Sequence, residues 1–239
     1  MSHKRSLSIT SSVLVREPQA AGSFTASLAP VELNFRWLAL AVKRAFDIVS
    51  SALLLFLALP LFAVIALFVA MDGGPVFFAH KRIGRGGKVF GCLKFRTMIL
   101  DAEGCLNEYL SHHPHAAIEW QREQKLNFDP RVTAIGRFLR SSSLDELPQL
   151  INVLLGDMSL VGPRPVTSSE LTHYGSSVEF YKSVRPGITG LWQVSGRNDV
   201  GYATRVALDE RYVREWNLAL DASILLRTPM VVLSRQGAR

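Results

Sequence analysis

The chain has 239 residues, enough for one large or two small domains, and 48% of them are hydrophobic. Lysine and arginine number 27 against 20 Asp and Glu, a net charge of +7, so anionic partners are expected: nucleic acid, an acidic membrane surface or phosphorylated substrates. Two cysteines, Cys92 and Cys105, with no Cys-x-x-Cys or Cys/His metal spacing exclude a disulfide scaffold and fit a reduced cytosolic setting.

Residues 1 to about 30 are rich in Ser, Ala and small polar side chains, with no apolar stretch directly after the early basic residues. They read as a flexible tail, not a cleaved signal peptide. From Ile48 to Met71 no residue is charged. As helix this run of about 24 residues covers about 36 Å, enough to cross a hydrocarbon core of about 30 Å. Pro60 falls at its midpoint and biases Leu59 away from helical geometry, dividing the run into two apolar halves. Basic residues flank both ends: Arg36, Lys43 and Arg44 before it, Lys81, Arg82, Arg85 and Lys88 after it. That symmetry suits two flanks on one side of a membrane. Two readings stand open on the residues alone, a re-entrant helix-break-helix and a Pro-kinked span. Arg44 and Asp47, three apart, are expected to pair where the helix enters the interface.

Val76 to Thr97 reads as a β-hairpin with Gly84-Arg85-Gly86-Gly87 at its turn. It is not a P-loop, because Val89 follows Lys88 where Ser or Thr is required. The two-residue period puts Lys94 and Arg96 on one face, as a diphosphate clamp or as a solvated basic face. His112-His113-Pro114-His115 reads as a solvated loop in preference to a metal site.

Asp145 and Glu146 precede the periodic run Leu147, Leu150, Ile151, Leu154, Leu155, with Ser143 and Glu146 at capping-box spacing. Pro148 favours an N-cap near Asp145, where the lack of an N–H at the proline is harmless. Both carboxylates then lie in or beside a first turn whose dipole favours the ionised form. Neighbours on a helix point about 100° apart, so a division of labour follows, one carboxylate attacking and the other holding a metal or second group. An ordinary acidic first turn is the bland alternative.

Arg164, between Pro163 and Pro165, is a stiffened guanidinium suited to phosphate. Arg137 and Arg140 face substrate or lipid headgroups in this reading. The loop from Arg185 to Asn198, with Trp192, Gln193 and Arg197, is a candidate nucleotide or sugar pocket. Asp157 is a turn acid or a site residue, and Asp209 an ion-pair partner of Arg205 or Arg211 or a site residue. Trp216 to Leu233, apolar with Pro229 inside, reads as an interfacial or core-packing helix.

The run Ser143-Leu144-Asp145-Glu146-Leu147-Pro148-Gln149-Leu150, then Asn152-Val153-Leu154, Gly156-Asp157-Met158-Ser159 and Val161-Gly162-Pro163-Arg164-Pro165, resembles the core signature of the bacterial sugar transferase family, the monotopic phosphoglycosyl transferases. Lys43-Arg44-Ala45-Phe46-Asp47, Lys94-Phe95-Arg96-Thr97-Met98, Arg185-Pro186-Gly187, Gln193-Val194-Ser195-Gly196-Arg197-Asn198 and Leu208-Asp209-x-x-Tyr212-Val213 match in the same order, from about residue 40 to the C-terminus. Some members carry Ser before the proline of the apolar segment, where Leu59 stands here.

The resemblance implies an α+β, mainly helical, monotopic membrane protein with a re-entrant helix-break-helix, amphipathic interfacial helices and a small β-hairpin. Residues 1–34 would be tail, 35–72 the re-entrant helix with its lead-in and 73–239 a catalytic domain on the cytoplasmic face of a bacterial inner membrane. It implies transfer of galactose- or glucose-1-phosphate from a UDP-sugar to undecaprenyl phosphate, releasing UMP, at the start of exopolysaccharide assembly. Asp145 would be the nucleophile, Glu146 a Mg2+ ligand with Asp157 a second, and Lys94, Arg96, Arg164 and Arg140 would bind phosphate. Arg185, Gln193, Arg197, Asn198 and Asp209 would line the nucleotide and sugar pocket. Membrane lipids and a homo-oligomer are the partners this admits, and nucleic acid is not. The rival from another class is a membrane-tethered basic nucleic-acid-binding or scaffolding protein without catalysis, indifferent to Asp145→Asn.

Overall fold

A computed structural model of the chain describes residues 30–123, 126–196 and 201–233. The apolar run lies in one helix, α1 (Pro30–Ala70), which starts inside the segment expected as tail. Pro60 does not end it: the helix runs through the proline, which leaves the Phe56 carbonyl without its usual donor four residues on. Large apolar side chains along α1 face outward, among them Phe56, Leu57 and Leu67.

Both arms of α1 rest on the same folded unit. In the first arm the Lys43 ammonium donates to the Val161 carbonyl at 3.0 Å and to Asp221 at 2.6 Å. Arg44 donates to the carbonyls of Val153 and Leu154 at 2.7 and 3.1 Å. Asp47 accepts from the Ser159 hydroxyl and the Leu160 N–H. The expected Arg44–Asp47 pair therefore does not form: Arg44 turns to carbonyls at the end of α5, and Asp47 to the Ser159 hydroxyl and the Leu160 N–H. In the second arm Ile65 and Val69 are buried with Phe95 and Leu139.

The hairpin pairs β1 (Phe77–Ile83) with β2 (Val89–Phe95), from Phe77 opposite Phe95 to Ile83 opposite Val89. Its turn needs left-handed backbone at Gly86 and Gly87, with φ of 69° and 77°. Then α2 (Ala102–His112) and α3 (Pro114–Glu123) follow. The histidine cluster is the junction of these two helices, not a loop, with the His113 ring stacked on Tyr109. Next come α4 (Ala134–Ser142), a 3-10 turn over Leu144–Glu146, and α5 (Gln149–Leu155), closed by Gly156 at φ 92°.

β3 (Ser159–Val161) pairs in parallel with β4 (Gly187–Thr189). A Cβ on Gly162 would lie 2.5 Å from the Arg185 carbonyl, so only glycine lets these backbones approach. Between the strands lie the short helices α6 (Ser168–Leu171) and α7 (Val178–Ser183). After them α8 (Tyr202–Glu215) and α9 (Leu218–Leu233) close the chain. The main core gathers Cys92, Leu150, Val153, Met158, Tyr212 and Ile224, which places hairpin, α5, α8 and α9 around one centre. α9 packs into it through Ile224 while Leu226 and Met230 face outward.

Candidate active site

Ser143 takes the left-handed conformation, φ 58° and ψ 16°, and its N–H caps the end of α4. It makes no side-chain cap, so the expected capping box with Glu146 is absent. The chain instead makes a 3-10 turn and enters α5 through Pro148, which needs no N–H partner there. That turn points both Asp145 and Glu146 at the hairpin. Lys94 on β2 meets them, its ammonium 2.6 Å from a Glu146 oxygen and 3.6 Å from Asp145. Arg140, at the end of α4, donates through Nε to the Thr97 hydroxyl at 2.9 Å and lies close enough to favour ionised Asp145.

The two carboxylates differ in electrostatics. Burial pushes Asp145 up, Lys94 and Arg140 oppose it, Glu146 reinforces it, and the result stays above the ordinary Asp value. Burial also pushes Glu146 up, but the touching Lys94 outweighs it and holds Glu146 below its usual value. Burial pulls Lys94 down, and Glu146 and Asp145 more than reverse that. The turn therefore does not shift both acids the same way, as a helix dipole would. Glu146 is the fixed anion, and Asp145 is the more basic carboxylate, hence the better nucleophile once deprotonated.

Arg96 does not share this site. β2 ends at Phe95, so the alternation stops, and the buried Arg96 turns to the end of α1. There it donates to the Val69 and Pro75 carbonyls at 2.8 and 2.7 Å and pairs with Asp72, whose carboxyl it holds down at about 2. Asp157 and Arg185 sit at the far end of α5, about 10 Å along its axis from the carboxylate turn. Asp157 accepts from Asn152 at 3.4 Å, and Arg185 donates to the Gly156 carbonyl at 2.7 Å. Arg185 and Arg44 thus cap one helix C-terminus, where the dipole favours cations.

Arg164 lies over the Trp192 ring at 5.8 Å and within electrostatic reach of Glu146, Glu170 and Asp209. The Gln193 amide reaches the Ile188 carbonyl at 3.5 Å. Arg197 and Asn198 lie outside the described residues. Asp209 makes neither expected ion pair: Arg211 pairs with Glu215, and the Tyr174 hydroxyl donates to Asp209 at 2.7 Å. Burial raises its carboxyl to about 7.

Arg82, which in the sequence stands among the basic residues flanking the apolar run, lies near the carboxylates. It pairs with Glu170 at 2.8 Å and lowers Glu146. The signal was present, since the register places Phe78, His80 and Arg82 opposite Lys94, Cys92 and Phe90, on one face. Among the described residues no group of three or more His, Cys, Asp or Glu can hold a metal alone.

Residues 38–235 match the family described as bacterial sugar transferase. An undecaprenyl-phosphate galactose phosphotransferase of Salmonella typhimurium is 54% identical over 197 residues, 82% of this chain and 41% of that protein. The exopolysaccharide production protein ExoY of Rhizobium meliloti is 53% identical over 195 residues, 81% of this chain and 86% of that one. A UDP-glucose:undecaprenyl-phosphate glucose-1-phosphate transferase of Caulobacter vibrioides is 40% identical over 206 residues, 82% of this chain and 71% of that one. The chain thus spans about two fifths of the length of the Salmonella relative.

Proposed function

The chain belongs to the bacterial sugar transferase family, and from that premise we infer that it moves a sugar-1-phosphate from a UDP-sugar to undecaprenyl phosphate, releasing UMP, to begin exopolysaccharide assembly. The observation that carries this reading is the turn before α5. It sets a buried, basic carboxylate, Asp145, beside an anionic Glu146 under one ammonium, Lys94.

In the first step an Asp145 oxygen attacks the phosphorus that carries the sugar. A P–O bond to Asp145 forms while the bond to the uridylyl phosphate breaks, and UMP leaves with the electron pair. A phosphate oxygen of undecaprenyl phosphate then attacks the same phosphorus and releases Asp145 as free carboxylate. Lys94 and Arg140 hold Asp145 ionised for the attack, and Arg164 and Arg82 supply positive potential toward the diphosphate. A covalent route suits a membrane-surface site, because the nucleotide product leaves before the lipid arrives.

Mg2+ fits this donor set only as an ion shared with substrate. Glu146, which Lys94 engages through one oxygen, is a single carboxylate, and Mg2+ takes one or two of these together with substrate phosphates. When bound it would offset diphosphate charge. Asp157, beyond the far end of α5, is not part of such a set.

The clasp of both α1 arms on one unit supports a re-entrant helix with both flanks on the cytoplasmic face. A helix crossing the bilayer would put Lys43 and Val69 on opposite sides, yet the contacts of each are with the same domain. Single cysteines at the two flanks should label from the same side, and opposite labelling overturns this topology.

Purified protein incubated with Mg2+, undecaprenyl phosphate and a panel of UDP-sugars should release UMP, with UDP-galactose preferred over UDP-glucose. No UMP from any donor overturns the transferase reading.

A further inference from the structure

Asn152 lies on α5 and is 2% exposed, and besides a 3.4 Å bond to Asp157 its side chain reaches the backbone of β2. Its side-chain amide behaves as a one-residue strand. The Leu93 N–H donates to its oxygen at 2.9 Å, and its nitrogen donates to the Gly91 carbonyl at 2.8 Å. Those two groups belong to the edge of β2 that faces away from β1, so Asn152 fills the hydrogen bonds a third strand would make. Between them Cys92 points into the core with Leu150 and Val153 of the same helix.

The next residue along β2 is Lys94, and Asp145 and Glu146 lie in the turn just before α5. The Asn152 amide is thus the directional tie between the element that carries the cation and the element that carries the anions. Apolar packing around Cys92 holds the two together but tolerates sliding, whereas two opposed hydrogen bonds admit one register. A slip by one residue would carry Lys94 about 3.4 Å along and turn it to the other face of the hairpin.

We propose that Asn152 is a positioning residue, which sets the Lys94 ammonium against Asp145 and Glu146 by pinning the free edge of β2 to α5. Its effect on turnover rests on the transferase reading above, but its effect on geometry does not, and the test separates the two.

A water-soluble carbodiimide condenses a lysine amine with a touching carboxylate into an amide, taking up the water lost. In the intact protein it should join Lys94 to Glu146, and the exposed pair Lys182–Glu179, 3.3 Å apart on α7, serves as internal reference. Peptide mass spectrometry measures both. In Asn152→Ala the Lys94 adduct should be lost relative to the reference, while thermal unfolding stays cooperative. Asn152→Ser, which keeps a hydrogen-bonding atom at that place, guards against simple misfolding and should show the same loss. Turnover should fall on the order of 10-fold, less than removal of the Lys94 ammonium itself, with the KM for the UDP-sugar little changed. No Lys94 adduct in the intact protein, or an unchanged adduct ratio in both variants, overturns the proposal. Loss of the adduct with full turnover upholds the positioning and overturns the part given to Lys94 in catalysis.

Discussion

Replacing Lys94 by Met removes the one cation that, among the described residues, touches both carboxylates, while keeping most of its apolar stem. The ammonium lies 3.6 Å from Asp145. A unit pair near 4 Å at an effective dielectric of about 20 is worth about 4 kcal/mol. The Lys94 side chain is 29% exposed, and solvent screening reduces this to about 2 kcal/mol. Part of the lost stabilisation appears as a higher Asp145 pKa, because Glu146 remains beside it as an uncompensated anion. A nucleophile that must be ionised then loses up to about 30-fold in turnover at pH values below its raised pKa. The sign is definite: the acid limb of the rate profile moves to higher pH, so the variant recovers turnover as pH rises. UMP release followed from about pH 6 to about pH 9 measures this. Wild-type turnover in the variant, or an equal loss at both ends of that range, refutes the claim that Lys94 acts by holding Asp145 ionised.

Asp145→Asn should abolish UMP release and also the sugar-phosphate adduct on the protein, read by intact mass after mixing with UDP-sugar alone; an adduct in the variant sinks the covalent route. Asp72 is held down by the hydrogen bond from Arg96, so its contribution is present above its unfolded pKa of about 4 and lost as pH falls toward about 2. The melting temperature of Asp72→Asn should therefore lie below wild type at neutral pH, with the gap closing in that acid window. Asp209 is the opposite case, a carboxyl raised to about 7 by burial. The native state keeps its proton, and on the order of 4 kcal/mol of stability is lost as pH rises from about 4 to about 7. Asp209→Asn should thus gain thermal stability over wild type at pH 8 more than at pH 5, and a pH-independent difference would contradict the buried carboxyl.

What the sequence determined by itself was whatever one element can specify alone. The uncharged run from Ile48 to Met71 dictates a helix long and apolar enough to cross a membrane, because no charged residue interrupts it. The alternation on either side of Gly84–Gly87 dictates a hairpin, and the adjacent acids dictate a charged turn before α5. Tertiary structure decided which charges meet. Lys94 and Arg96 look equivalent in sequence, but the strand ends between them, and one goes to the carboxylates while the other closes α1. Arg44 and Asp47 stand at pairing distance along a helix, yet the backbone at the end of α5 and in β3 takes both. Ser143 has capping-box spacing, but a left-handed turn withdraws it and leaves burial and Lys94 to set the two acids apart. The physical reason is range: periodicity and propensity act over a few residues, whereas an ionised side chain goes to whichever buried partner the fold brings within a few ångströms.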